Sequence, residues 1–296
     1  MILLTGGTGQ VGRSILSQVQ AHQKPFFAPS RSELDLSDPQ SIQRVLESRD
    51  WTAIINAGAY TAVDQAESEP LLAEAINANA PAIMARFCQE HAIRLIHFST
   101  DYVFAGDASS PYKEDAHTAP LGVYGASKLA GEEAILASHC RAVILRTAWV
   151  VSPYGKNFIK TMLRLAQDRE EIRVVADQYG CPTGAADLAS VVLSVLPRLL
   201  TDKNAPTGIY HCSNQGETTW AGLARLVMEE SAGLGGPRAR IIDITTADYP
   251  TPAKRPHYSR LSCDRLQKDW DIALRAWQPM VAEIVAALMQ EKETAE

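Results

Sequence analysis

Tyr124 and Lys128 stand four residues apart in Tyr124-Gly125-Ala126-Ser127-Lys128. On a helix that spacing puts a phenol and an ammonium on one face. A nearby ammonium favours the phenolate, so the pair predicts a tyrosine pKa drawn down from ~10 towards working pH. Such a tyrosine can give a proton to a carbonyl oxygen as a hydride arrives at the carbon. Upstream, Ser99-Thr100-Asp101 closes an apolar run and offers the Thr100 hydroxyl to the same oxygen. A Tyr-x-x-x-Lys by itself is frequent by chance. Its weight here comes from the Ser-Thr pair, from a glycine loop at the N-terminus, and from the chain distance between them.

That loop reads Thr5-Gly6-Gly7-Thr8-Gly9-Gln10-Val11-Gly12. Gly6, Gly9 and Gly12 fit GxxGxxG, and Gly7, Gly9 and Gly12 fit GxGxxG. Glycine permits the tight turn and the close approach of backbone to a pyrophosphate. The last glycine lets the helix pack on its strand, and the helix N-terminus faces the phosphates. A strand before and an amphipathic helix after are the context that turns a glycine-rich turn into a dinucleotide site. At the second strand end, Ser30 and Arg31 suit a 2′-phosphate and favour NADPH, while Glu33 keeps NADH open. Arg31 reads equally as a solvated charge. Asp35 is a candidate for the adenine edge or for a turn carboxylate.

The elements needed to position these groups alternate along the first half of the chain. Short apolar runs at 2–5, 26–28, 53–56, 95–99 and 143–147 read as strands. Helix-period stretches at 10–20, 40–47, 71–90 and 124–137 lie between them. Strands spaced by helices predict βαβ units and an α/β, Rossmann-like, doubly wound parallel sheet. The second half is less regular: helices near 157–169, 185–200, 219–232 and 280–290, and strands near 172–175, 209–212 and 241–245. We expect a dinucleotide-binding domain over 1–150 plus roughly 185–212. A smaller C-terminal substrate-binding lobe then takes 151–184 and 213–296.

Bulk properties exclude several classes. A net charge of −6 with no Lys/Arg tract leaves no footprint for nucleic acid. No apolar run reaches the ~18–20 residues of a membrane span, and the opening residues lack the pattern of a signal peptide. Cys88, Cys140, Cys181, Cys212 and Cys263 are scattered and odd in number, which fits reduced thiols and a cytoplasmic protein. His97 lies within a strand, and His91, His117, His139, His211 and His257 are isolated from one another, so no metal site is expected.

Beyond these motifs, three runs are far more specific: Thr61-Ala62-Val63-Asp64-Gln65-Ala66-Glu67, Asp177-Gln178-Tyr179-Gly180-Cys181-Pro182-Thr183-Gly184, and Thr251-Pro252-Ala253-Lys254-Arg255-Pro256. With the glycine loop, Ser99-Thr100-Asp101-Tyr102-Val103-Phe104 and the Tyr124/Lys128 pair, they make almost the whole chain resemble the extended short-chain dehydrogenase/reductase family. The likeness is greatest to its dTDP-sugar ketoreductases. The resemblance implies reduction of dTDP-4-dehydro-L-rhamnose at C4 by NADPH or NADH, with a dTDP-sugar as partner. It implies Thr100, Tyr124 and Lys128 as the catalytic triad, with Tyr124 the acid and Lys128 on the nicotinamide ribose. Cofactor contacts fall to Gly6, Gly9, Gln10, Val11, Gly12, Ser30, Arg31, Asp35, Leu36, Ala57, Ala59 and Tyr60 as well as to Tyr124 and Lys128.

The resemblance further implies that Thr61, Val63, Asp101 and Trp149 line the sugar site, with Asn157 and Arg255 on the nucleotide diphosphate. A guanidinium fork suits phosphate, and Trp offers a flat apolar wall. Simpler roles stand beside these: Trp149 in the core, Arg255 in a surface ion pair, Asp101 capping a loop, Asn157 capping a helix, and Asp64 with Glu67 on a solvated face. Ala148 replaces a common Ser. Ser14 and Ala186 stand where some relatives place magnesium-binding acids between subunits, so a monomer or weak homodimer is expected. The alternatives are another nucleotide-sugar enzyme of this fold (a reductase on a related deoxysugar, an epimerase or a dehydratase) and a non-catalytic, reductase-like regulatory subunit. Dehydratases of the family place Asp-Glu after the catalytic Thr, where this chain has Asp101-Tyr102.

Overall fold

A computed structural model describes residues 1–19 and 25–293. The expected helix over 10–20 is present as α1 (Gln10–Val19), and its last expected residue lies outside the described residues. The first half supplies β1 (Ile2–Thr5), β2 (Phe26–Phe27), β3 (Ala53–Asn56), β4 (Arg94–Thr100) and β5 (Ala142–Thr147). Between them run α2 (Pro39–Glu47), α3 (Val63–Ala66), α4 (Pro70–Glu74), a π-helical turn (Ala75–Asn79), α5 (Ala80–Glu90) and α6 (Val123–Ala137). The second half adds β6 (Val150–Val151), α7 (Phe158–Leu165), β7 (Glu171–Val175), β8 (Tyr179–Gly180), β9 (Thr183–Gly184), α8 (Ala185–Thr201) and β10 (Gly208–His211). It ends with β11 (Thr218–Thr219), α9 (Trp220–Gly233), β12 (Arg240–Ile244), α10 (Asp264–Trp270) and α11 (Trp277–Glu293).

Six strands form one parallel sheet in the order β10-β5-β4-β3-β1-β2. Alternate side chains leave opposite faces of a strand, and both faces here are apolar. Ile2, Leu4, Ile55, Ile96 and Leu145 pack on α1, α8 and α10 through Ile15, Leu188, Val192, Leu196 and Trp270. Leu3, Ile54, Leu95 and Ile144 pack on α2, α5 and α6 through Ile42, Leu46, Met84 and Ile135. Helices on both faces are what a wholly parallel sheet requires.

A second core belongs to the C-terminal half. There α7, α9 and α11 enclose the parallel pair β7–β12 through Ile159, Leu163, Ile172, Val174, Leu223, Val227, Val281 and Val285. Leu266, Trp270 and Leu274 join the large sheet's core instead.

Two departures from the expected helices have local causes. The stretch 71–90 is broken by the π turn. Asn77 within it is buried and hydrogen-bonded both ways to the Tyr60 backbone, at 2.8 and 3.0 Å, and to Ser127 Oγ at 3.1 Å. The helix over 157–169 is shorter: Asn157 caps its start by accepting from Lys160 N at 3.2 Å, and past Leu165 the N–H groups of Gln167 and Asp168 close tight turns on Arg164 O and Leu165 O, each at 3.3 Å. None of the described helices is long and apolar enough to cross a membrane.

Candidate active site

A cleft of about 910 Å³ opens at the C-terminal ends of β1, β3, β4 and β5. Ligands of open α/β sheets bind at this edge. Its first wall is the glycine loop. Gly6 sits at φ +68°, a left-handed geometry that glycine adopts without strain. A Cβ on Gly12 would meet Gly7 Cα at 2.7 Å and the Gly6 carbonyl closer still. Gly12 is thus the contact that lets α1 start directly beneath the turn. Gln10 locks the loop to the second half: its Oε1 accepts from Ser152 Oγ and Asn157 Nδ2, each at 2.9 Å, and its Nε2 donates to Val150 O at 3.3 Å.

Of the residues expected to touch cofactor, Gly6, Gly9, Gln10, Val11, Arg31, Asp35, Leu36, Ala57, Ala59, Tyr60, Tyr124 and Lys128 line this one cleft. Ser30 turns to its neighbour, with its N–H and Oγ both donating to Glu33 Oε2 at 2.8 Å, while Arg31 is exposed. Asp35 closes a turn by accepting from Ser37 N at 2.9 Å and Ser37 Oγ at 2.7 Å, and these bonds hold its carboxyl below the usual range. The glycine loop, the helix start behind it and the volume of the cleft fit a dinucleotide.

The second wall carries the reacting groups. Thr100 ends β4, and its Oγ1 donates to Asp101 Oδ1 at 3.0 Å and accepts from Tyr102 N at 3.2 Å. Tyr124 and Lys128 lie on successive turns of α6. Lys128 Nζ is buried, donates to Phe98 O at 2.6 Å and lies 3.3 Å from His97 Nε2. The expected depression of the tyrosine pKa is not what this geometry produces. Burial pushes Tyr124 up to about 12, Thr100 opposing it and Asp101 adding to it. Burial draws Lys128 down to about 8, with Glu132 the opposing charge. The ammonium is turned to a carbonyl and an imidazole, so burial wins and the phenol keeps its proton.

Asp101 is also buried, and burial raises its carboxyl to about 7 against the Thr100 hydrogen bond. Its Oδ2, Thr147 Oγ1 and Arg255 Nη1 are buried atoms that no protein hydrogen bond satisfies among the described residues. Such atoms are costly unless a ligand meets them. Thr61 lines the same cleft, and Val63 begins α3 beside it. Trp149 is a non-glycine residue at φ +48°, with its ring stacked on Trp220 at 3.6 Å between centroids. Asn157 spends its amide on the helix cap, Gln10 and Ser152 O, which leaves its structural bonds already made.

Asp64 and Glu67, which the sequence left on a solvated face, act at long range. Asp64 accepts from Ala253 N at 3.2 Å and pairs with Arg255 Nη2 at 2.7 Å, binding the 252–256 loop to α3. Glu67 Oε1 accepts from Val123 N at 2.8 Å, at the first turn of α6, where no side chain of the helix's own N-cap residue serves. A carboxylate at a helix N-terminus is stabilising, and this one fixes the turn that carries Tyr124. Glu69 holds the Tyr60 hydroxyl at 2.6 Å. Ser14 is buried against Gln10 O, and Ala186 O accepts from Gln18. Among the described residues, no group of His, Cys, Asp and Glu is arranged to hold a metal ion.

The family described as RmlD substrate binding domain matches residues 1–290. The dTDP-4-dehydrorhamnose reductase of Escherichia coli K12 is 41% identical, with 97% of each chain covered. A crystal structure of a dTDP-4-dehydrorhamnose reductase from Clostridium acetobutylicum superposes with a TM-score of 0.90 at 33% identity, over 97% of this chain and 99% of that one. The Bacillus anthracis enzyme of the same name, in complex with NADP, gives 0.88 at 33% identity, over 97% and 98%. On this agreement of sequence, fold and cleft, the chain belongs to the dTDP-4-dehydrorhamnose reductase family.

Proposed function

We propose that this protein reduces the C4 keto group of dTDP-4-dehydro-L-rhamnose to give dTDP-L-rhamnose, using NADPH in preference to NADH. The observation that carries the chemistry is that half-buried Tyr124 and buried Lys128 line the glycine-walled cleft together, with buried Thr100 beside Tyr124 at the end of β4. The substrate reading draws support from the relatives' names and from the three specific runs, the first of which lines the cleft through Thr61 and Gln65 and is tied by Asp64 to the third. When bound, the dihydronicotinamide supplies a hydride. Tyr124, held protonated by burial, gives its proton to the C4 oxygen as negative charge develops there. The Thr100 hydroxyl would turn its hydrogen from Asp101 Oδ1 to that oxygen when the sugar binds, and Lys128, which lines the cleft, would hold the ribose through its remaining N–H.

The sugar's nucleotide diphosphate would lie against Arg255, whose Nη1 lacks a partner in the protein. Asp101 Oδ2 would accept from a sugar hydroxyl. We assign the lobe around the β7–β12 core to this ligand and the six-stranded sheet to the cofactor. The test is NADPH consumption, and separately NADH consumption, against dTDP-4-dehydro-L-rhamnose made in situ. One-to-one loss of cofactor and gain of dTDP-L-rhamnose, faster with NADPH, is the expected result. Cofactor binding without consumption would overturn the reading.

A further inference from the structure

Two polar side chains buried beneath the cleft take no part in the proton transfer above. His97 on β4 is 0% exposed and Asn56 on β3 is 1% exposed. Asn56 Nδ2 and His97 Nδ1 are 3.0 Å apart, and the other ring nitrogen, Nε2, meets Lys128 Nζ. Behind Asn56, Thr5 Oγ1 donates to Oδ1 at 2.6 Å and accepts from Gly58 N at 3.1 Å. Strand register makes this a straight row, since Thr5 pairs with Asn56 and Asn56 with His97 across β1, β3 and β4. The residues just before them, Leu4, Ile55 and Ile96, are wholly apolar and fully buried. A polar row in such a sheet is tolerated only when every member is bonded.

The bonding has a definite logic. Burial keeps the His97 ring neutral, its pKa far below the ordinary value. A neutral imidazole has one N–H and one bare nitrogen, and a lysine ammonium can only donate. With Lys128 charged, Nε2 must accept, so the proton sits on Nδ1 and goes to the Asn56 oxygen, while the amide NH₂ turns to Thr5. With Lys128 neutral the order reverses. Nε2–H then donates to Nζ, Nδ1 accepts from the Asn56 NH₂, and Asn56 Oδ1 accepts from Thr5. The row therefore has two proton orders, one for each charge state of the lysine; in the first, Thr5 turns its own hydroxyl hydrogen towards the cleft that it lines.

We infer that His97 is a positioning residue for Lys128, and that the Thr5–Asn56–His97 row sets the pH at which the lysine discharges by exchanging one hydrogen-bond order for the other. This rests on the reading of Tyr124 and Lys128 as the acid and its partner. The other charged and titratable groups around the pair are Glu132, one turn along α6 and bound to Arg146 of β5, Tyr124 one turn back, and Asp101 and Tyr102 on the turn after β4. Among the described residues none of these groups hydrogen-bonds Nζ, whose partners are the His97 ring and the Phe98 carbonyl.

Removing the acceptor destabilises the ammonium, so H97L should move the basic limb of the kcat/KM profile down by about 1 pH unit. H97Q, which returns an acceptor at the Nε2 position, should restore the limb to within about 0.3 unit. Cofactor affinity by fluorescence titration reports that each variant is folded. In the unmutated holoenzyme, long-range ¹H–¹⁵N correlation of the His97 ring between about pH 6 and about pH 10 should show a neutral ring. It should pass from the Nδ1–H to the Nε2–H tautomer at the pH of the kinetic limb. A single tautomer throughout, an imidazolium, or equal limbs in H97L and the unmutated enzyme would overturn the inference. The ring spectrum needs no turnover, so failure of the reductase reading appears separately, as bound cofactor that no sugar consumes.

Discussion

The two walls of the cleft are built by different means. The glycine wall is backbone: seven consecutive residues, whose chief requirement is that no Cβ stands between Gly12 and the Gly6 carbonyl. The catalytic wall is side chain, and its supports come from far along the chain. Glu67 starts the helix that carries Tyr124, and Asp64 holds Ala253 and Arg255 against α3. A backbone wall tolerates changes of polarity but fails on added bulk. A side-chain wall tolerates small changes of shape but fails when one polar atom is lost. The difference separates binding of the cofactor, which the first wall dominates, from chemistry and sugar recognition, which belong to the second.

The sharpest break in that comparison is Y124F. It should lower kcat by about 1,000-fold, within the range for loss of a general acid, while leaving the NADPH Kd within about 2-fold of the unmutated protein. Steady-state kinetics with a cofactor titration checks both numbers, and a matching loss of cofactor affinity would mean the walls are not separable. The converse is G12V. Its side chain has no room against Gly7 and the Gly6 carbonyl, so NADPH should bind about 100-fold more weakly, roughly 2.7 kcal/mol.

D64A comes next. Freed from its ion pair, the 252–256 loop should raise the KM for the sugar nucleotide about 10-fold, equivalent to about 1.4 kcal/mol, with a smaller change in kcat. An unchanged KM would return Arg255 to the role of a surface ion pair. The smallest effect is on stability and depends on pH. The Asp101 carboxyl, near 7 in the fold against 3.8 unperturbed, binds its proton more tightly folded than unfolded. Its contribution is full below the unfolded value and is lost as pH rises through 7. D101N should therefore match the unmutated protein near pH 4 and melt about 3–6 °C higher near pH 8, even as turnover falls. Melting curves at the two pH values decide it.

Legibility in the sequence followed the same division. The glycine loop and the strands 2–5 and 53–56 were readable because their demands are local: a missing Cβ, or an apolar run covered on both sides. The break in the helix over 71–90 was not, because the π turn answers to Asn77's bonds with Tyr60 and Ser127, which no periodicity records. The helices Val63–Ala66 and Asp264–Trp270 are too short to repeat a pattern. Asp64 and Glu67 looked like solvated acids because their partners lie at 253, 255 and 123. The direction of the Tyr124 pKa shift is not legible either: spacing places the ammonium on the right face, but burial raises the phenol, and Nζ is turned to Phe98 O and His97.

The most direct test follows the hydride itself. The protein would be given NADPH deuterated on the transferred face of the nicotinamide C4, together with dTDP-4-dehydro-L-rhamnose in ordinary water, and the product analysed by NMR. One deuterium at C4 of dTDP-L-rhamnose for each NADPH consumed is the predicted result. Product without deuterium at C4, or cofactor returned unconsumed after the sugar has changed, would contradict the account.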